Sequence, residues 1–108
     1  MKGPAMTAYL GVDATPAIAP LYRLQYEAVQ ETWVLLYPEG MVKLNQSAGE
    51  ILARCDGKTA VAAIVADLAK TFAMDDTAGL EADVRAFLAM ATERNWVALA
   101  DAVSEETA

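Results

Sequence analysis

From Tyr22 the chain alternates, with Tyr22, Leu24 and Tyr26 on one side and Arg23, Gln25 and Glu27 on the other. This period of two marks a half-buried strand. A second strand is predicted at Trp33-Val34-Leu35-Leu36-Tyr37, where aromatic and β-branched residues suit a strand apolar on both faces. Pro38-Glu39-Gly40 supplies a turn, and Met41-Val42-Lys43-Leu44 completes a hairpin as strand three. Side chains alternate across a sheet, so Val42 and Leu44 share the core side while Met41 and Lys43 share the other.

Past Leu44 the period becomes helical. Asn45 or Ser47 can serve as N-cap, Ser47-Ala48-Gly49-Glu50 fits a capping box, and Ala48, Ile51, Leu52 and Cys55 repeat at helical spacing until Asp56-Gly57 stops the helix. Thr59 is expected to cap a second helix with the stripe Val61, Ile64, Val65, Leu68 and Phe72, broken around residues 73–76. A third helix begins near Asp76 or Thr77, turns Leu80, Val84, Phe87, Leu88 and Ala91 inward, pairs Glu81 with Arg85 outside, and ends by Asn95. Trp96-Val97-Ala98 can close the fold as a small strand or cover. The Ala-, Thr-, Gly- and Pro-containing stretch 1–20 shows neither period and reads as a tail or linker, 21–98 as the domain, and 99–108 as an acidic tail. Strands followed by helices predict an α+β fold, a three-stranded antiparallel sheet packed on three helices.

Such a sheet has two edges, and an open edge offers N–H and C=O groups that pair with any available strand. Composition narrows what that edge can serve. The 108 residues are 56% hydrophobic and carry eight Lys plus Arg against fifteen Asp plus Glu, a net charge of -7 that repels a phosphate backbone. Without histidine and with one cysteine, the chain lacks the groups for His-based acid–base chemistry, a Ser-His-Asp triad or a disulfide framework. No apolar run reaches membrane-spanning length, and Lys2-Gly3-Pro4 does not open a secretory signal. A soluble, cytoplasmic protein without cofactor or metal is expected. Trp33 and Trp96 read as packing residues, Cys55 as an inert buried thiol, and Asp75-Asp76 as charge at a helix N-terminus rather than a metal site.

Trp33 through Asn45, followed by Ser47-Ala48 and Glu50-Ile51-Leu52, resembles the PqqD family of pyrroloquinoline quinone biosynthesis. Arg23-Leu24, Glu27, Gln30, Cys55-Asp56-Gly57, Ile64-Val65, Asp83-Val84, Phe87-Leu88 and Trp96 extend the similarity, which runs from about Pro16 to Val97. The resemblance implies a winged helix-turn-helix-like, non-catalytic peptide-recognition element. It would bind the ribosomally made precursor peptide of the quinone and present it to the radical S-adenosylmethionine (SAM) enzyme that cross-links the peptide's Glu and Tyr. In related elements the peptide adds as a strand beside strand three, in the groove against helix three. Here that implies Met41, Val42, Lys43 and Leu44 together with one flank of the third helix. Projected at 100° per residue, Asp83, Met90 and Arg94 flank Phe87, which makes these four the helix-side candidates. A monomer or weak homodimer is expected, since two copies can pair through the same edge. The alternative, a winged-helix nucleic-acid-binding domain, rests on fold analogy alone. It is disfavoured by Glu81, Asp83 and Glu93 beside Arg85 and Arg94 on the third helix.

Overall fold

The computed structural model describes residues 10–99. They form β1 (Pro16–Ile18), β2 (Arg23–Glu27), β3 (Thr32–Tyr37), β4 (Gly40–Leu44), α1 (Gln46–Ala53), α2 (Val61–Thr71), α3 (Thr77–Glu93) and β5 (Val97–Leu99). β2, β3 and β4 pair antiparallel in that order, giving the expected three-stranded sheet with three helices. A second pairing, β1 antiparallel to β5, was not expected, because three-residue strands are too short to display alternation.

The core lies between one sheet face and the helices. Leu35, fully buried, sits between Leu24 and Val42 in register and packs with Leu44 onto the side of α1 that carries Ala48, Ile51 and Leu52. Val61, Ile64, Val65 and Leu68 of α2 and Val84, Leu88 and Ala91 of α3 extend it, and Leu10, Ala14, Cys55, Trp96 and Val97 belong to the same cluster. Burying a Leu or Ile fully is worth ~1.5–3 kcal/mol, so this cluster offsets much of the chain entropy without a cross-link. α1 approaches the sheet so closely that a side chain at Gly49 would run into the ring of Trp33.

The caps differ in part from expectation. Asn45, not Ser47, caps α1, its Oδ1 accepting the Ala48 N–H at 2.8 Å. The Ser47–Glu50 box does not form. Glu50 instead accepts from Gln46 and pairs with Arg54 at 2.9 Å, and Arg54 also reaches Asp67 of α2 at 2.6 Å. Burial alone would lower the Arg54 pKa, but these two carboxylates outweigh it and leave it raised. Nor does Thr59 cap α2, because its hydroxyl donates to Asp56. Ala60 holds the N-cap position without a side-chain bond, and the first N–H groups of α2 are met by main chain: Val61 donates to the Ala14 carbonyl at 2.9 Å and Ala62 to that of Val12 at 3.0 Å. Phe72, expected on the buried stripe, lies just past the last turn of α2 and is 45% exposed.

Those contacts also correct the expected tail. Residues 10–20 belong to the fold: Leu10 and Ala14 are buried, Gly57 donates to the Pro16 carbonyl, and Ala19 donates to the Trp96 carbonyl at 2.8 Å. Arg85 fastens the segment to α3, its Nε donating to the Leu10 carbonyl at 3.0 Å. The remaining tail expectations, on residues 1–9 and 100–108, fall outside the described residues.

Two helices end the same way. Arg94 closes α3, Asn95 takes a left-handed φ of 66°, and Trp96 N–H returns to the Ala91 carbonyl at 2.9 Å. Phe72 closes α2, Ala73 takes φ 52°, and Met74 N–H returns to the Ala69 carbonyl at 2.9 Å. Both are Schellman motifs, and each turns the residue after the left-handed position back across its helix. Those two residues, Trp96 and Met74, line the two cavities described below.

Candidate functional site

β4 is an outer strand. The two-residue connection Pro38-Glu39 makes Tyr37 and Gly40 a hydrogen-bonding pair, so the alternation of an antiparallel ladder turns the main chain of Val42 and Leu44 toward β3 as well. The main chain of Met41 and Lys43 points away. The β2–β3 register agrees: its loop closes on Glu27 and Thr32, which assigns Thr32, Val34 and Leu36 to β2 and leaves Trp33, Leu35 and Tyr37 for β4. The outer edge of β4 therefore presents the two N–H and two C=O groups of Met41 and Lys43. The described N-terminal segment pairs with β5 and α2 and leaves that edge open.

α3 packs chiefly on α2 and β5 rather than on β4. The gap is a groove of about 480 Å3, with Val42, Lys43, Leu44 and Asn45 along one wall and Asp83, Phe87 and Met90 along the other. Ser47, Ala48, Ile51 and Trp96 complete it. Six of the eight expected site residues thus border one cavity. Met41 does not line it, because its side chain lies on the outer face of the sheet, 53% exposed, and only its main chain belongs to the edge. Arg94 does not line it either. As the C-cap of α3 it sits with its guanidinium carbon 5.6 Å from the centroid of the Trp96 ring, a cation–π contact that steadies a lining residue.

The sequence reading missed Trp96, Asn45, Ser47, Ala48 and Ile51 as lining residues. The clue for Trp96 was its place directly after Asn95, a residue type that takes left-handed φ readily and so ends the helix with a reversal. The lining is mostly apolar, with Asn45, Ser47 and one carboxylate, Asp83, as its polar groups; Lys43 borders it through the strand, its side chain lying on the same outer face as that of Met41. The other arginine of α3, Arg85, is engaged by Glu81 at 3.3 Å and by the Leu10 carbonyl. No helix among the described residues is long and apolar enough to cross a membrane.

Comparison with known proteins bears on what such a groove serves. Residues 32–97 match the family model of coenzyme PQQ synthesis protein D, PqqD, and so well over half of the chain. This chain belongs to the PqqD family. It is 48% identical over 88 residues to the PqqA binding protein of Pseudomonas aeruginosa (strain UCBPP-PA14), covering 82% of this chain and 94% of that one. The PqqA binding protein of Azotobacter vinelandii is 50% identical over 84 residues, covering 78% and 89%. Among solved structures, the solution NMR structure of the PqqD truncation of Methylobacterium extorquens PqqCD superposes with a TM-score of 0.67 at 31% identity, over 82% of this chain and 92% of that one. That protein is described as a functional, stand-alone recognition element for ribosomally synthesised, post-translationally modified peptides. The span matched to PqqD opens at the first residue of β3 and closes at the first residue of β5, so it contains both walls of the groove.

Proposed function

We propose that this chain is a non-catalytic adaptor that binds the ribosomal precursor peptide of pyrroloquinoline quinone, PqqA, by strand addition to β4, and presents it in the cytoplasm to the radical SAM enzyme that cross-links its Glu and Tyr. The observation that carries this reading is the edge of β4 at Met41 and Lys43, open among the described residues and facing a groove walled by α3. The names of the relatives, PqqA binding protein, and the description of the structural neighbour as a peptide-recognition element support it. The same edge serves either the peptide or a second copy of the chain, so the peptide-bound form is monomeric.

Magnitudes assign the work. Four main-chain hydrogen bonds at a net ~1 kcal/mol each give about 4 kcal/mol. Association costs about that much or more in lost freedom of motion. The ladder therefore sets register and direction, and burial of peptide side chains against Phe87, Met90 and Trp96 supplies affinity. Met90 suits that task because its unbranched chain repacks around different shapes.

Lys43→Pro tests the reading. The Lys43 N–H faces away from β3, so proline there leaves the hairpin ladder intact while removing one edge donor. Calorimetry with PqqA should show at least about a fivefold loss of affinity at unchanged melting temperature, with Lys43→Ala close to the native chain. Equal binding by the native chain and Lys43→Pro would contradict strand addition.

A further inference from the structure

A second cavity adjoins the groove. It lies where α1, the end of α2 and the first half of α3 meet, holds about 260 Å3, and is lined mostly by apolar groups, among them Leu68, Phe72, Met74 and Leu80. Two of these are unusually open for large apolar side chains, Phe72 at 45% and Met74 at 43% exposure. The two cavities share Ser47, Ile51 and Asp83. Following one wall from Val42 through Asn45 to Ser47, and the other from Met90 through Asp83 to Leu80, leads out of the groove and into this cavity. It therefore adjoins the end of the groove where β4 passes into α1, within reach of a segment that fills the groove and continues past that end. An apolar cavity of about 150 Å3 can take a benzene ring, so this one has room for an aromatic or long aliphatic side chain.

Resting on the strand-addition reading above, we infer that this cavity is an anchor pocket for one large apolar side chain of the bound precursor peptide, placed just outside the segment paired with Met41 and Lys43. Continuity with the β4 groove selects the peptide as occupant. The exposed rims of Phe72 and Met74 are the surface it covers. Asp83, standing at the junction, divides the path into two apolar stations. The pocket also supplies what the short ladder lacks, since four main-chain bonds do not by themselves hold a peptide.

The chain carries its own reporters. Met41 marks the sheet edge, Met90 the groove and Met74 the second cavity. In the full chain labelled with 13C at the methionine methyls and assigned by single Met→Leu variants, titration with unlabelled PqqA should shift Met41, Met90 and Met74 along one binding curve. Intermolecular NOEs should join the Met74 methyl to an apolar side chain of the peptide. Phe72→Ala, at an exposed position, should keep the native melting temperature and bind PqqA about five- to tenfold more weakly. Shifts at Met41 and Met90 with none at Met74, and native affinity in Phe72→Ala, would overturn the anchor pocket while leaving strand addition standing. Silence at all three methyls would overturn both. A Met74 shift that needs the radical enzyme, or that follows protein concentration without peptide, would assign the cavity to that enzyme or to a second copy and so overturn the inference.

Discussion

Cys55 lies buried just past the C-cap of α1, its Sγ donating to the Ile51 carbonyl at 3.3 Å. Desolvation, helped by the neighbouring Asp56 carboxylate, pushes its pKa from 9.0 up to about 12. The fold thus prefers the neutral thiol. Below pH 9 the thiol is protonated in folded and unfolded chain alike and the stabilisation is fully present. Between pH 9 and about 12 only the unfolded chain releases the proton, so stability falls, by up to about 1.4 kcal/mol per pH unit. Denaturant unfolding across that range should show a steeper alkaline loss in the native chain than in Cys55→Ala, which isolates this group from the titrating tyrosines and lysines; parallel slopes would refute the assignment. Asp56 behaves oppositely. Its carboxylate accepts the N–H groups of Lys58 and Thr59 and the Thr59 hydroxyl, which lowers its pKa, so that contribution is present at neutral pH and lost as pH falls through the lowered value. That Cys55 is buried was legible from the expected stripe, although α1 stops at Ala53, short of the expected end at Asp56-Gly57, and Cys55 follows it. The exposure of Phe72 was not, because periodicity identifies a stripe without saying where the helix stops.

Helix ends decide where the lining residues point. Ala73 holds a left-handed φ that costs an L-residue roughly 1 kcal/mol and costs glycine almost nothing. Ala73→Gly should therefore stabilise the chain by about 0.5–1 kcal/mol in urea unfolding, with Met74 kept in place, whereas destabilisation would mean that the reversal after α2 is not the one described. The strands and helices of the main domain were legible because each is long enough to show its period. What escaped were features made by main chain. The capping of α2 by the Val12 and Ala14 carbonyls, and the β1–β5 pairing that draws residues 16–18 into the fold, leave no side-chain signature, and prolines in 1–20 look alike in a linker and in a strap. Thr59 was the natural cap by residue type, but Asp56, three residues earlier, claims its hydroxyl.

Across the described residues, the fold sets one edge of its sheet beside a channel and holds the channel's walls on separate elements. β4 is fixed by β3, and α3 is held by α2, by β5 and by the Arg85 clasp on the N-terminal strap. Six of the eight expected site residues border that channel, because alternation along β4 and a 100° projection of α3 are reliable within an element. Trp96 and the start of α1 were not expected there, because no periodicity within one element reports how three elements meet. The central claim is that a peptide becomes a fourth strand against β4, and amide hydrogen exchange by NMR, with and without PqqA, tests it residue by residue. The parity of the ladder requires new protection at the amides of Met41 and Lys43, with Val42 and Leu44 already protected in the free chain. New protection at Leu24 and Tyr26 on the opposite edge, or none at Met41 and Lys43 under saturating peptide, would contradict it.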